Sequence, residues 1–164
     1  EIITTIGAYI LKLADKGDNL EENKLKILEN IKNGKAYNKF LELVQNQNGD
    51  IEYVKNTDKF EKAKYILPVI CGKDGYVEKL NAGEVGKISV DLGAGRLRKE
   101  DDIDKAVGIV LNKKNADKVK KGDILAFVYA NNKQKGETAV EDMQNAYKIV
   151  EEPVKKEKYI LGII

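Results

Sequence analysis

The chain of 164 residues has no histidine, no tryptophan, one cysteine (Cys71) and one serine (Ser89). Without an imidazole these residues hold no histidine general base, no Ser/His or Cys/His nucleophile pair, and no zinc site built from His and paired Cys. That excludes most hydrolytic mechanisms within them. A lone cysteine closes no internal disulfide, which fits a reducing compartment. Cys71 also sits in the apolar run "YILPVIC", where a thiol serves as a small buried hydrophobe. An excess of one charge is lacking too: 29 basic residues stand against 27 acidic ones, for a net charge of +2, and the lysines are interleaved with acids along the chain. Binding to a phosphate backbone needs a concentrated basic face, so nucleic acid is not the expected partner. No apolar run approaches the roughly 20 residues that span a bilayer, and no charged-then-apolar leader opens the chain. The expectation is a soluble, cytoplasmic protein without a membrane partner.

With 42% hydrophobic residues the chain can bury a packed core. Helical periodicity comes first. Ile3, Ile6, Ile10 and Leu13 fall on one face with Ile2 and Tyr9 beside them, yet no capping residue precedes Glu1. This abrupt start suggests a segment of a longer protein. A second helix is expected from Asn19, with Glu22 as a partial capping pair, through Leu25, Leu28 and Ile31 to Asn33 and Gly34. A third places Tyr37, Phe40, Leu41 and Val44 on one side and ends in "NQNGD". From about Lys64 the pattern turns to β: "KYILPVIC", the turn "GKDG", then "YVEKLNA". Residues 84–92 fit a short helix or a strand. "AVGIVLNKK" and "DILAFVYAN" read as strands, with Gly122-Asp123 supplying a turn between them. "GETAVEDMQNAYKIV" returns to helical spacing through Val140, Met143 and Tyr147, and Pro153 separates it from the last apolar run, "YILGII". The composition shift near residue 60 marks the expected boundary.

Both arginines, Arg96 and Arg98, stand two residues apart in "LGAGRLRKEDDIDKAVGIV", directly after a Gly-Ala-Gly turn. Arginine is the stiff, bidentate, permanently charged residue for gripping a carboxylate or phosphate, so its concentration here suggests a placed contact rather than two ordinary surface cations. The "GAGR" stretch also resembles an anion-binding nest, although glycine serves any turn that needs positive φ. Glu100, Asp101, Asp102 and Asp104 fit a solvated loop or helix start among Lys99 and Lys105; the alternative is a set of magnesium ligands. No metal site is expected.

"NADKVKKGDILAFVYAN" is similar to the turn-and-strand pattern of lipoyl and biotinyl carrier domains. That likeness implies a barrel-sandwich scaffold. It gives little support for carrier function, because the single methionine, Met143, flanks no lysine in the expected setting. A carrier or stand-alone binding module is the alternative reading. Taken together, "AKYILPVICGKDGYVEKLNAGEVG", "LGAGRLRKEDDIDKAVGIVLNKKNADKVKKGDILAFVYAN" and the closing helix resemble the carboxy-terminal part of the pyrimidine-nucleoside phosphorylase and thymidine phosphorylase family.

The resemblance implies an α+β fold: N-terminal helices from a larger α/β lobe over residues 1–60, followed by a barrel-sandwich, α/β-hammerhead-like C-terminal domain over 61–164. It implies a pentosyltransferase in which inorganic phosphate, the co-substrate, cleaves uridine or thymidine to free base and pentose 1-phosphate. It also implies a homodimer formed through a helical lobe outside this segment. The family's phosphate loop, its base-contacting residues and its active-site histidine match nothing here, so no catalytic residue and no cofactor are expected in the segment, which is expected to be inactive alone. The Gly93, Ala94, Gly95, Arg96 loop is expected to face the cleft from the larger lobe and to meet the smaller lobe on closure, with Arg98 a surface residue.

Overall fold

A computed structural model of the chain describes residues 1–162. They form an α+β structure that divides into two compact units, Glu1–Lys59 with the segment from Lys158 onward, and Phe60–Glu157.

The first unit is helical: α1 (Ile2–Leu13), α2 (Leu20–Lys32), α3 (Lys35–Asn46), α4 (Ile51–Lys55) and a single 3₁₀ turn at Thr57–Lys59. No side chain caps α1 at Glu1. The expected start of α2 is there: Asn19 Oδ1 accepts from the Glu21 and Glu22 amides, and its Nδ2 donates to Glu22 Oε1 at 3.3 Å. α1 and α2 meet where small residues let the backbones approach, since a Cβ on Gly7 would lie 2.6 Å from Ile27 Cδ1 and Ala8 is fully buried. Asn23, also fully buried, ties the pair by donating to the carbonyls of Ala8 (3.3 Å) and Gly17 (2.7 Å). Ile3, Ile6, Ile10 and Leu13, the apolar stripe of α1, are 75%, 55%, 59% and 83% exposed.

The second unit runs β1 (Tyr65–Ile70), β2 (Gly75–Leu80), α5 (Ala82–Ser89), a wide π-type turn at Val90–Ala94, β3 (Gly108–Leu111), β4 (Lys118–Val119), β5 (Ile124–Ala130), α6 (Lys133–Ala146) and β6 (Tyr147–Val150). Two antiparallel sheets of three strands result, in the orders β1-β5-β3 and β4-β2-β6. β5 is central because its residues are apolar on both faces, and α6 lies on β1 and β5. The core gathers Val69, Val77, Leu125, Val128, Ala139 and Met143.

Two expectations are corrected here, and one open alternative is resolved. The strands do not close into a barrel: β4 contributes only Lys118 and Val119 to its ladder, and the two sheets stay separate. The ambiguous 84–92 stretch is helix α5 entering the wide turn, nucleated by Asn81, whose Oδ1 accepts from the Gly83 and Glu84 amides. The last helix stops at Ala146, four residues before the helical pattern does. Tyr147 continues the 3.6-residue spacing, but the β-forming "YKIV" finds a hydrogen-bonding partner in β2, pairing Tyr147 with Leu80 and Val150 with Tyr76. Of the closing "YILGII", Ile163 and Ile164 lie outside the described residues, and Tyr159–Gly162 carry no regular structure.

Candidate functional site

The Gly-Ala-Gly-Arg loop belongs to the second unit, between α5 and β3. Its base is anchored by Leu92 and Val107, which are 6% and 9% exposed. Gly93 takes φ 112°, a left-handed value that a side chain resists, and Gly95 comes back so close to the start of the wide turn that a Cβ would lie 2.7 Å from Val90 Cγ2. Both glycines are therefore explained by the turn itself, without an anion.

The neighbouring acids serve the same loop. Asp101 Oδ2 accepts from the amides of Leu97 (3.1 Å) and Arg98 (2.8 Å), and the Asp101 amide donates back to Arg98 O. Asp104 is the larger hub. Its amide donates to Gly93 O (2.9 Å), its Oδ1 accepts from the Ala106 amide (3.0 Å), and its Oδ2 accepts from Asn131 Nδ2 (2.7 Å). Asn131 Oδ1 in turn accepts from the Lys64 amide at 2.9 Å. No helix starts at Glu100–Asp104; the segment is an irregular loop. Among the described residues no group of three or more His, Cys, Asp or Glu is placed to hold a metal ion.

The tip of this braced loop projects Arg96, Leu97 and Arg98, all exposed, with Leu97 at 75%. Among the described residues neither guanidinium has an ion-pair or hydrogen-bond partner. Beside the loop base a groove of about 580 Å³ runs between the end of α5 with its wide turn and α6, lined by Ile88, Asp91, Leu92, Asn132, Lys135 and Asp142.

Residues 76–150, which include the loop and the groove, match the family described as the pyrimidine nucleoside phosphorylase C-terminal domain. Over 131 residues the chain is 42% identical to the pyrimidine-nucleoside phosphorylase of Staphylococcus aureus (strain USA300) and 44% identical to that of Bacillus subtilis (strain 168), covering 80% of this chain in each case. The chain carries a C-terminal segment of the pyrimidine-nucleoside phosphorylase family. It spans 30% of the length of these relatives.

Elsewhere in the chain, several candidates separate from the loop. Cys71 is 1% exposed and its Sγ donates to Lys73 O at 3.0 Å, which is a packed thiol and not a presented nucleophile. Ser89 Oγ donates to Val85 O at 3.0 Å along its own helix. The lysines of the carrier-like "NADKVKKGD" surround turns that aspartates organise: Asp117 accepts from the Lys114 amide and Asp123 from the Lys120 amide. No helix among the described residues is long and apolar enough to cross a membrane. Sequence reasoning placed Asp101 and Asp104 in a solvated loop but missed their bracing bonds, and it missed Leu97 at the tip and Asn131, after β5, as the partner of Asp104. A readable trace of Asp101 was there, since Asp three residues after Arg98 is the spacing of a side chain that caps its own turn.

Proposed function

We propose that this chain is the C-terminal portion of a phosphorylase in which inorganic phosphate attacks C1′ of uridine or thymidine, releasing the base and pentose 1-phosphate. The chemical step needs an anionic nucleophile held in line with the glycosidic bond and charge stabilised on the leaving base. It also needs water kept out, because water at the same position gives hydrolysis. This segment supplies none of the reacting groups. Its part is scaffold and closure: Gly93, Ala94, Gly95 and Arg96 form a cleft-facing loop, and Arg96 meets the opposing lobe when the enzyme closes. The observation that carries the reading is the combination of a backbone-braced loop with an exposed, unpartnered Arg96 and an exposed Leu97 at its tip. A guanidinium held ready on a stiff support forms a directional contact at low entropic cost.

In the same reading residues 1–60 are the last helices of the catalytic α/β lobe, and 61–164 are a hammerhead-like C-terminal domain. The exposed α1 stripe of Ile3, Ile6, Ile10 and Leu13 packs on the rest of that lobe. The assembled enzyme is a cytoplasmic homodimer whose ligands are a pyrimidine nucleoside and phosphate. The test is phosphate-dependent release of uracil and thymine, measured in parallel on this 164-residue chain and on the full-length polypeptide. Activity in the longer protein alone is the expected result. Activity in neither, or a ligase-dependent mass increment on a lysine, overturns it in favour of a carrier or stand-alone module.

A further inference from the structure

Among the acids that follow the glycine-rich turn, Asp104 does more than a solvated loop carboxylate needs to do. It joins three separate pieces of chain: the wide turn through Gly93 O, its own following turn through the Ala106 amide, and the exit of β5 through Asn131. Asn131 extends the chain of hydrogen bonds to the Lys64 amide, one residue before β1. Asn131 and Asp104 are both partly buried, so water competes poorly for the bond between them. A hydrogen bond to an ionised carboxylate is about twice as strong as a neutral one.

We propose that Asp104 and Asn131 form a latch that sets the position of the Gly93–Arg96 loop, making both positioning residues for the contact assigned to Arg96. The role in closure rests on the phosphorylase reading; the latch itself does not. Each group has one donor–acceptor assignment that satisfies all its partners. Asp104 accepts twice, and Asn131 donates once and accepts once. In Asp104→Asn, either orientation of the new amide turns a donor toward a donor, at Asn131 Nδ2 or at the Ala106 amide. In Asn131→Asp, two carboxylates face each other across the 2.7 Å contact. The exchange Asp104→Asn with Asn131→Asp restores everything. Asn at 104 accepts from Ala106 and donates to position 131, while Asp at 131 accepts from Lys64 and from position 104, with no change in net charge.

The experiment is hydrogen exchange on the full-length polypeptide, with peptides covering 90–98 compared with those covering β5 as an internal control. Each single variant is expected to speed exchange in the loop on the order of tenfold, the equivalent of one lost charge-assisted bond, with β5 unchanged. The double exchange is expected to return it to within about twofold of wild type. Asn131→Ala removes both the donor to Asp104 and the acceptor for the Lys64 amide, sets no like group against another, and reports the same loss should a charged single variant fail to fold. Loop exchange unmoved in all single variants, or a double variant as fast as the singles, overturns the latch. Kinetics on the same proteins test the closure role separately. The singles are expected to lower kcat for phosphorolysis more than they raise the nucleoside KM, and the double variant to recover it. A latch seen by exchange with kcat unmoved removes the closure role, and a wild-type polypeptide without phosphorolysis removes the phosphorylase reading, while exchange still decides the latch.

Discussion

Replacing Tyr147 with phenylalanine should produce a stability difference that changes sign with pH. Tyr147 opens β6, is 7% exposed, and reaches from the β2 sheet toward the β5 sheet, where its hydroxyl lies 2.9 Å from Lys113 O and 3.1 Å from Leu125 O. The hydroxyl has one proton for these two acceptors. Leu125 O already accepts from the Asn112 and Lys113 amides, so the bond that matters is the one to Lys113 O. Near neutral pH Tyr147→Phe therefore costs about 1 kcal/mol, the ordinary net worth of one such bond. Burial first, and the charge of Asp117 second, push the phenol up from 10.0 to about 12. Below pH 10 the phenol is neutral in both folded and unfolded chains and adds no pH dependence. Between 10 and 12 the unfolded chain releases a proton that the folded protein keeps, so stability falls as pH rises, by about 1.4 kcal/mol per unit and at most about 2.7 kcal/mol in all. Phenylalanine has no proton to release. The wild type should thus lead by about 1 kcal/mol at pH 8, lose that lead near pH 11, and fall behind above it. Denaturant midpoints followed by circular dichroism from pH 8 to 11.5 measure both curves, and lysine titration cancels in the difference. Two parallel curves would refute the reasoning.

Gly75→Ala should destabilise the second unit by more than about 2 kcal/mol, because φ is 153° there and the new Cβ runs into the Val150 carbonyl of β6; Gly72→Ala, with nothing within 4 Å, should stay within about 0.5 kcal/mol by thermal melts. Met143→Ala, at a fully buried site, should cost about 2–5 kcal/mol in denaturant unfolding, and a loss under about 1 kcal/mol would contradict the core described here. Cys71 should resist a thiol reagent in the native protein and react at once in denaturant; rapid native labelling would show that it is not packed. The 164-residue chain should bind a hydrophobic dye or self-associate through α1, and Ile6→Lys with Ile10→Lys should reduce the dye signal without loss of helix. A monomer that binds no dye counts against an uncovered face.

Legibility in the sequence followed how local the deciding interaction is. α2 was readable because Asn19 and Glu22 settle its first turn within four residues, and β5 because "ILAFVYA" carries both its propensity and its burial on its own side chains. β6 was not, since Tyr147 satisfies helical spacing and only pairing with β2, nearly seventy residues earlier, makes "YKIV" extended. The two-residue β4 is likewise defined by its partner rather than by its sequence. The paired arginines pointed to the loop, and the structure leaves both guanidiniums without partners among the described residues. The bracing was hidden: Asp101 acts over three residues and left a trace, whereas the Asp104–Asn131 contact spans 27 residues and depends on the fold being complete.

The most direct test of the account is steady-state phosphorolysis of uridine and thymidine by the full-length polypeptide carrying Arg96→Ala, beside Arg98→Ala and the wild type. A closure contact predicts that Arg96→Ala lowers kcat or raises the Michaelis constants while Arg98→Ala changes neither. Wild-type values for both kcat and KM in Arg96→Ala would contradict it.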